Sequence, residues 1–139
     1  MTSDETKLSE LGDELGPLQR RAPGAAEIRR YASSEGTREG IFSDEEYARG
    51  LGFRGLVVPG PVLAAYVEQF LHAELPQWRV VWLSTTFRLP TAAGDLLSLR
   101  GAVTEDHHMT DGEHLVCDVV VEHAGGECAV TASARLVRL

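Results

Sequence analysis

The sequence predicts an α+β domain in which one long buried helix is wrapped by a curved antiparallel sheet. Three observations carry that expectation. From Pro61 to Leu75 apolar residues fall on nearly every helical face, at Val62, Leu63, Val67, Phe70 and Leu71 among others, and a helix of that kind is covered by the rest of its protein. Downstream, four segments carry the short period and the β-branched and aromatic content of strands. All four follow the helix without another helix between them, which points to consecutive antiparallel strands rather than alternating βαβ units.

Taken in order, residues 1–12 are polar and acidic without periodicity and read as a disordered tail, with one domain over residues 13–139. Leu15 to Ala22 reads as a short strand ended by Pro23 and Gly24. Ala25 to Ser34 reads as a helix, with Ile28, Tyr31 and Ala32 on one face and Gly36 closing it. A polar loop follows to Phe42. Ser43 with Glu46 three residues on has the form of a capping box, so Asp44 to Leu51 is expected as a short helix, with Asp44 also placed to charge its N-terminus. A Gly-rich lead-in from Gly52 to Gly60 opens the central helix. Pro61 suits the first helical position, where its missing N–H costs nothing, and Pro76 stops the helix. Trp78 to Leu89 alternates, with Val80, Trp82, Ser84 and Thr86 on one face and Val81, Leu83, Thr85 and Phe87 on the other. Leu97 to Thr104, Leu115 to Val121 and Ala129 to Leu139 complete a four-stranded meander.

Composition narrows the function classes. A chain of 139 residues, 43% hydrophobic and 24% charged, is ordinary for one globular domain. No apolar run is long enough for a membrane span, and the polar N-terminus is unlike a signal peptide, so a cytoplasmic protein is expected. Cys117 and Cys128 make no disulfide framework, and no His or Cys spacing points to zinc. A formal net charge of −8 argues against nucleic acid or anionic lipid as partner. The arginines ahead of the central helix, including Arg20, Arg38 and Arg54, fit either a local basic rim or scattered solvated side chains.

The run from Tyr31 to Gly60 resembles the MaoC-like hydratase/dehydratase signature, roughly F-A-x-x-T-G-D-x-N-P-I-H-x-D-x-x-Y-A-x-x-x-G-F-x-G-x-I-x-H-G, without a gap. Leu75-Pro76, Phe87, Pro90 and Gly94-Asp95 also sit where that family places its L-P and F-x-x-P-x-x-x-G-D residues. The resemblance implies a hot-dog fold over residues 13–139, a sheet wrapped on the central helix. It also implies assembly as dimers, with an acyl thioester of coenzyme A or a carrier protein bound beside the helix, and no metal or redox cofactor.

The resemblance further implies the chemistry: hydration or dehydration of a 2-enoyl/3-hydroxyacyl thioester by an Asp and a His, with the backbone N–H of the glycine opening the helix polarising the carbonyl. On this sequence the Asp position is Thr37, the His position is Phe42, the Asn position is Glu39 and the His before the glycine is Pro59. Phe transfers no proton and Thr has no useful pKa near neutrality. Gly60 alone keeps its role, because a backbone donor depends on no side chain.

Two readings follow. In one, proton transfer has moved to Glu68, a carboxylate midway along the apolar helix and one turn from His72, with Glu39 or Glu35 assisting and with Thr37, Phe42, Pro59 and Tyr66 lining the substrate pocket. In the other, the chain is a non-catalytic subunit of a heteromeric hydratase that shapes the acyl tunnel for a reacting hot-dog partner. A repurposed cyclase, isomerase or thioesterase is a third class. His107 and His108, in a turn with Glu105 and Asp106, read as solvated side chains.

Overall fold

The structure, a computed structural model, describes residues 9–36 and 39–139. The elements are β1 (Glu14–Arg21), α1 (Ala25–Ser34), a 3₁₀ turn (Gly40–Phe42), α2 (Glu45–Gly50), α3 (Gly60–Glu74), β2 (Trp78–Phe87), β3 (Leu96–Met109), β4 (Gly112–His123) and β5 (Cys128–Arg138). One antiparallel sheet has the order β1-β3-β4-β5-β2. Its concave face closes on α3, which buries Leu63, Val67, Phe70 and Leu71 against Leu97, Leu99, Val119, Val121 and Leu136. This is the hot-dog arrangement.

The topology corrects the expected four-strand meander. Only β3, β4 and β5 follow one another; β2 pairs with β5, and β1 takes the other side of β3. The chain leaving β2 is held to β5, Arg88 N–H and Leu89 N–H both donating to the Ala129 carbonyl at 2.8 and 3.3 Å. It then crosses the N-terminal end of α3, where Val57 and Ala92 form an isolated bridge. That crossing replaces a hairpin between β2 and β3.

The faces of β2 also differ from simple alternation. The register with β5 shifts between Val80 and Trp82, and a one-residue slip sends every later side chain to the opposite face. Trp78 is buried and Val80 half-buried; beyond the bulge Leu83 and Thr85 point inward. Val81 and Trp82 are left 49% and 50% exposed. Elsewhere the differences are at boundaries. Asp44 rather than Ser43 caps α2, its carboxylate accepting Tyr47 N–H at 3.1 Å; Ser43 closes the 3₁₀ turn and is used there. The β3–β4 hairpin runs on to Met109 and Gly112, pairing His107 with His114, because ladder bonds continue where both faces are wet. At the N-terminus Gly12 N–H reaches the Val103 carbonyl at 2.9 Å and Leu11 N–H the Asp106 carboxylate at 3.1 Å, so residues just ahead of β1 lie along β3; residues 1–8 lie outside those described.

What fixes the entry of α3 is a hub at Asp95. Its carboxylate takes both guanidinium nitrogens of Arg54 at 2.6 Å and the Ala92 N–H at 2.9 Å, while its carbonyl accepts Ala22 N–H at 2.7 Å. Val58 N–H donates to the Thr91 carbonyl and Ala93 N–H to the Leu56 carbonyl. The lead-in to the helix is thereby tied to the crossing and to the end of β1. Burial alone would push the Asp95 carboxyl up, but Arg54, the Ala92 N–H and His123 together hold it below the usual carboxylate range. A depressed folded-state pKa contributes stability that is present above the unfolded value, about 3.9, and is lost as the pH falls through the folded value. Asp95→Ala should therefore lower stability by about 2 kcal/mol in urea denaturation at pH 7. The gap from wild type should shrink below pH 4. Equal stability of the two proteins at pH 7 would show that the hub does not hold the fold.

Candidate active site at the entry of the central helix

Helix α3 begins with Pro59 as its N-cap and Pro61 in its first turn. The Pro59 carbonyl accepts Val62 N–H at 3.0 Å and Leu63 N–H at 3.4 Å. Pro61 has no N–H to offer. Gly60 N–H is thus the donor left open at the positive end of the helix, the place where an electron-rich oxygen is favoured. Gly60 lines a cavity of about 390 Å³ together with Phe42, Phe53, Leu63, Phe87 and Leu89. A Cβ at this position would lie 2.9 Å from Phe87 Cζ and 3.0 Å from Cε2, so an added methyl group requires the ring to shift.

The cavity is mostly apolar, with Arg88 and Thr91 as the polar side chains among its lining residues. Its one buried polar side chain is Thr91, 1% exposed, and its hydroxyl is engaged with His123 Nε2 at 3.1 Å. The same ring nitrogen lies 3.9 Å from the Asp95 carboxylate, so Thr91 and His123 extend the Asp95 hub under the cavity floor. A larger cleft of about 720 Å³ lies on the other side of α3. Ala65, Glu68 and His72 from the helix form it with Trp78, Arg79 and Val80 from β2. Neither cysteine is at a cavity described here, and burial pushes the Cys117 thiol up to about 12, so it packs rather than reacts. Among the described residues, no three His, Cys, Asp or Glu side chains converge as a metal site, and no helix is long and apolar enough to cross a membrane.

Residues 12–130 match the family model for the FAS1-like dehydratase domain region. The chain belongs to that family. Its fold is that of the MaoC-like hot-dog proteins, of which three solved structures are instructive. The (R)-hydratase from A. caviae involved in PHA biosynthesis superposes with a TM-score of 0.80 at 24% identity, over 96% of this chain and 100% of that one. The ChsH1–ChsH2 complex from Mycobacterium tuberculosis gives a TM-score of 0.78 at 20% identity, over 95% and 100%. The C-terminally truncated HadBC (3R-hydroxyacyl-ACP dehydratase) complex from the same organism gives 0.73 at 24%, over 94% and 98%. No curated protein sequence matches the chain.

Within this FAS1-like dehydratase domain, the sequence-predicted site residues fall into two groups. Phe42 and Gly60 line one cavity, with Pro59 buried behind them. Glu39, the N-cap of the 3₁₀ turn, is exposed nearby in sequence, and Thr37 lies outside the described residues. Tyr66 is half-buried under the Arg20 guanidinium, 3.5 Å from its ring centroid, and Arg20 also bonds Gln69. Glu68 does not share the cavity of Gly60. It is exposed and lines the larger cleft with His72. Eight residues along a helix advance the chain by about 12 Å, and Glu68 lies on the exposed face of α3 while Val67, Phe70 and Leu71 beside it are buried. Thr91 and His123 escaped the sequence reading because they are 32 residues apart and meet only through the crossing after β2.

The contact between Gly60 and Phe87 gives a direct check. Gly60→Ala should cost about 1–3 kcal/mol by overpacking, and adding Phe87→Leu should recover most of that loss in thermal or urea denaturation. Additive losses in the double variant would mean that the two residues do not touch.

Proposed function

We propose that this chain is the acyl-binding, non-proton-transferring half of a hetero-oligomeric hydratase or dehydratase. One observation carries the reading: the cavity at the carbonyl-polarising end of α3 has a backbone donor and mostly apolar walls, and among the described residues no carboxylate or imidazole lines it. Adding or removing water across a 2-enoyl thioester needs a base and an acid within hydrogen-bond reach of the reacting carbons. Gly60 N–H can draw charge onto the thioester oxygen without either. The proton carriers then come from a second hot-dog subunit.

The seat for that subunit is supported by the open side of the fold. Strand β2 is an edge of the sheet, ten residues long, and an unpaired edge of that length is a template for another strand. Val81 and Trp82 are exposed beside it, and the uncovered face of α3 lines the cleft along its first residues. Glu68 and His72 sit in this seat, where they are positioned to meet a partner rather than the bound carbonyl. The two-component make-up of the ChsH1–ChsH2 and HadBC complexes is consistent with such a pairing. The thioester carrier is read as coenzyme A, since a chain with a net charge of −8 is a poor match for an acidic carrier protein.

The test is turnover of crotonyl-CoA followed by loss of enoyl absorbance. The purified chain alone should show no hydration above the uncatalysed rate at any pH from 6 to 9. Co-expression with a hot-dog subunit bearing both Asp and His should yield an active complex that retains this chain. Turnover by the chain alone, lost about 10²-fold or more in Glu68→Gln, would instead place the chemistry on Glu68 and overturn the reading.

A further inference from the structure

We propose that Phe87 is the specificity-determining residue of the Gly60 cavity, admitting straight acyl chains and turning away those branched next to the carbonyl. The inference rests on the reading of this cavity as an acyl site and adds to it the residue that does the selecting.

The argument starts from where Phe87 is anchored. It is the last residue of β2, in register with Val130 of β5, and the two N–H groups that follow it are both tied to the Ala129 carbonyl. Its backbone is therefore fixed against the sheet. The ring is not a core residue, since it is 50% exposed. It turns instead toward the first turn of α3, with Cζ, Cε2 and Cε1 2.9, 3.0 and 3.5 Å from where a Cβ of Gly60 would stand. Of the walls around the donor, Phe87 is the one shown to touch the glycine itself.

In an apolar cavity with one hydrogen-bond donor, the donor fixes where the carbonyl oxygen sits, and the nearest wall decides what can be attached beside it. A linear acyl chain leaves the carbonyl along the cavity, past Leu63 and Leu89. A methyl on the adjacent carbon is held close to the donor, where the space that a single added methyl group would need at Gly60 is already taken by the ring. Phe42, Phe53 and Val57 are further apolar wall residues, and Arg88 and Thr91 also line the cavity. Pocket discrimination of one methyl is worth about tenfold or more in binding.

The experiment is calorimetric titration of the purified chain with butanoyl-CoA and 2-methylbutanoyl-CoA, saturated thioesters that no hydratase turns over. Wild type should favour the straight chain by about tenfold. Phe87→Ala and the milder Phe87→Leu should bring the two affinities close together by improving the branched ligand, while Phe87→Tyr should keep the preference. Binding of both thioesters with an unchanged ratio in Phe87→Ala and Phe87→Leu would overturn the role of Phe87 and leave the acyl site intact. If wild type binds neither thioester, the acyl reading of the cavity falls, and this inference with it.

Discussion

Five residues of lead-in, Leu56 to Gly60, decide where the positive end of the central helix points, and the polar hub at Asp95 decides where those five residues run. Leu56 and Val58 are buried and spend their backbone groups on Ala93 and Thr91, so the segment acts as a short extra strand across the mouth of the sheet. Asp95 gathers Arg54, Ala92 and Ala22 around one residue. A half-buried carboxylate is costly unless partners are present; here Arg54 and the Ala92 N–H supply them, while Ala22 N–H ties the Asp95 carbonyl to the end of β1.

From that junction follows a site with an unusual division of labour. The donor at Gly60 is pre-set by the helix, needs no titrating group and keeps its strength because apolar side chains exclude water around it. Among the described residues no carboxylate or imidazole lines the cavity. Aromatic residues surround the donor instead: Phe42, at the position the resemblance gives to the family's His, and Phe87 both line the cavity. In the proposed reading such a cavity would hold and polarise a carbonyl, with the proton carriers supplied by a second subunit. Glu68 and His72, on the open side of α3 beside the free edge of β2, belong to the surface through which that delivery would come.

Much of this was legible in the sequence because it depends on local pattern. The apolar wrap of α3, Pro61 in its first turn, the length of α1 and the glycine at the helix entry each follow from residues near one another in the chain. The misreadings share a cause. The bulge after Val80 leaves no mark in composition, so alternation groups Val80 on one face with Trp82, Ser84 and Thr86 although the register shifts between Val80 and Trp82. The crossing from β2 to β3 resembles any Pro- and Gly-containing turn until its bonds to Leu56 and Val58 are seen. The polarity of Glu105 to Glu113 read as a turn, although the ladder continues through it. Glu68 drew attention as a charge in an apolar helix, yet the sheet covers only the face of that helix carrying Leu63, Val67, Phe70 and Leu71, and the charge marks the face left open.

The account's central claim is that the acyl carbonyl meets the backbone at Gly60. Amide chemical-shift mapping of the ¹⁵N-labelled chain during titration with butanoyl-CoA tests it most directly. The largest perturbation should fall on Gly60 N–H, displaced downfield as it takes up the hydrogen bond, with smaller shifts at Leu63, Phe87 and Leu89 around the cavity. A response centred on Glu68, His72 and Arg79, with Gly60 unmoved, would place the ligand in the other cleft and contradict the account.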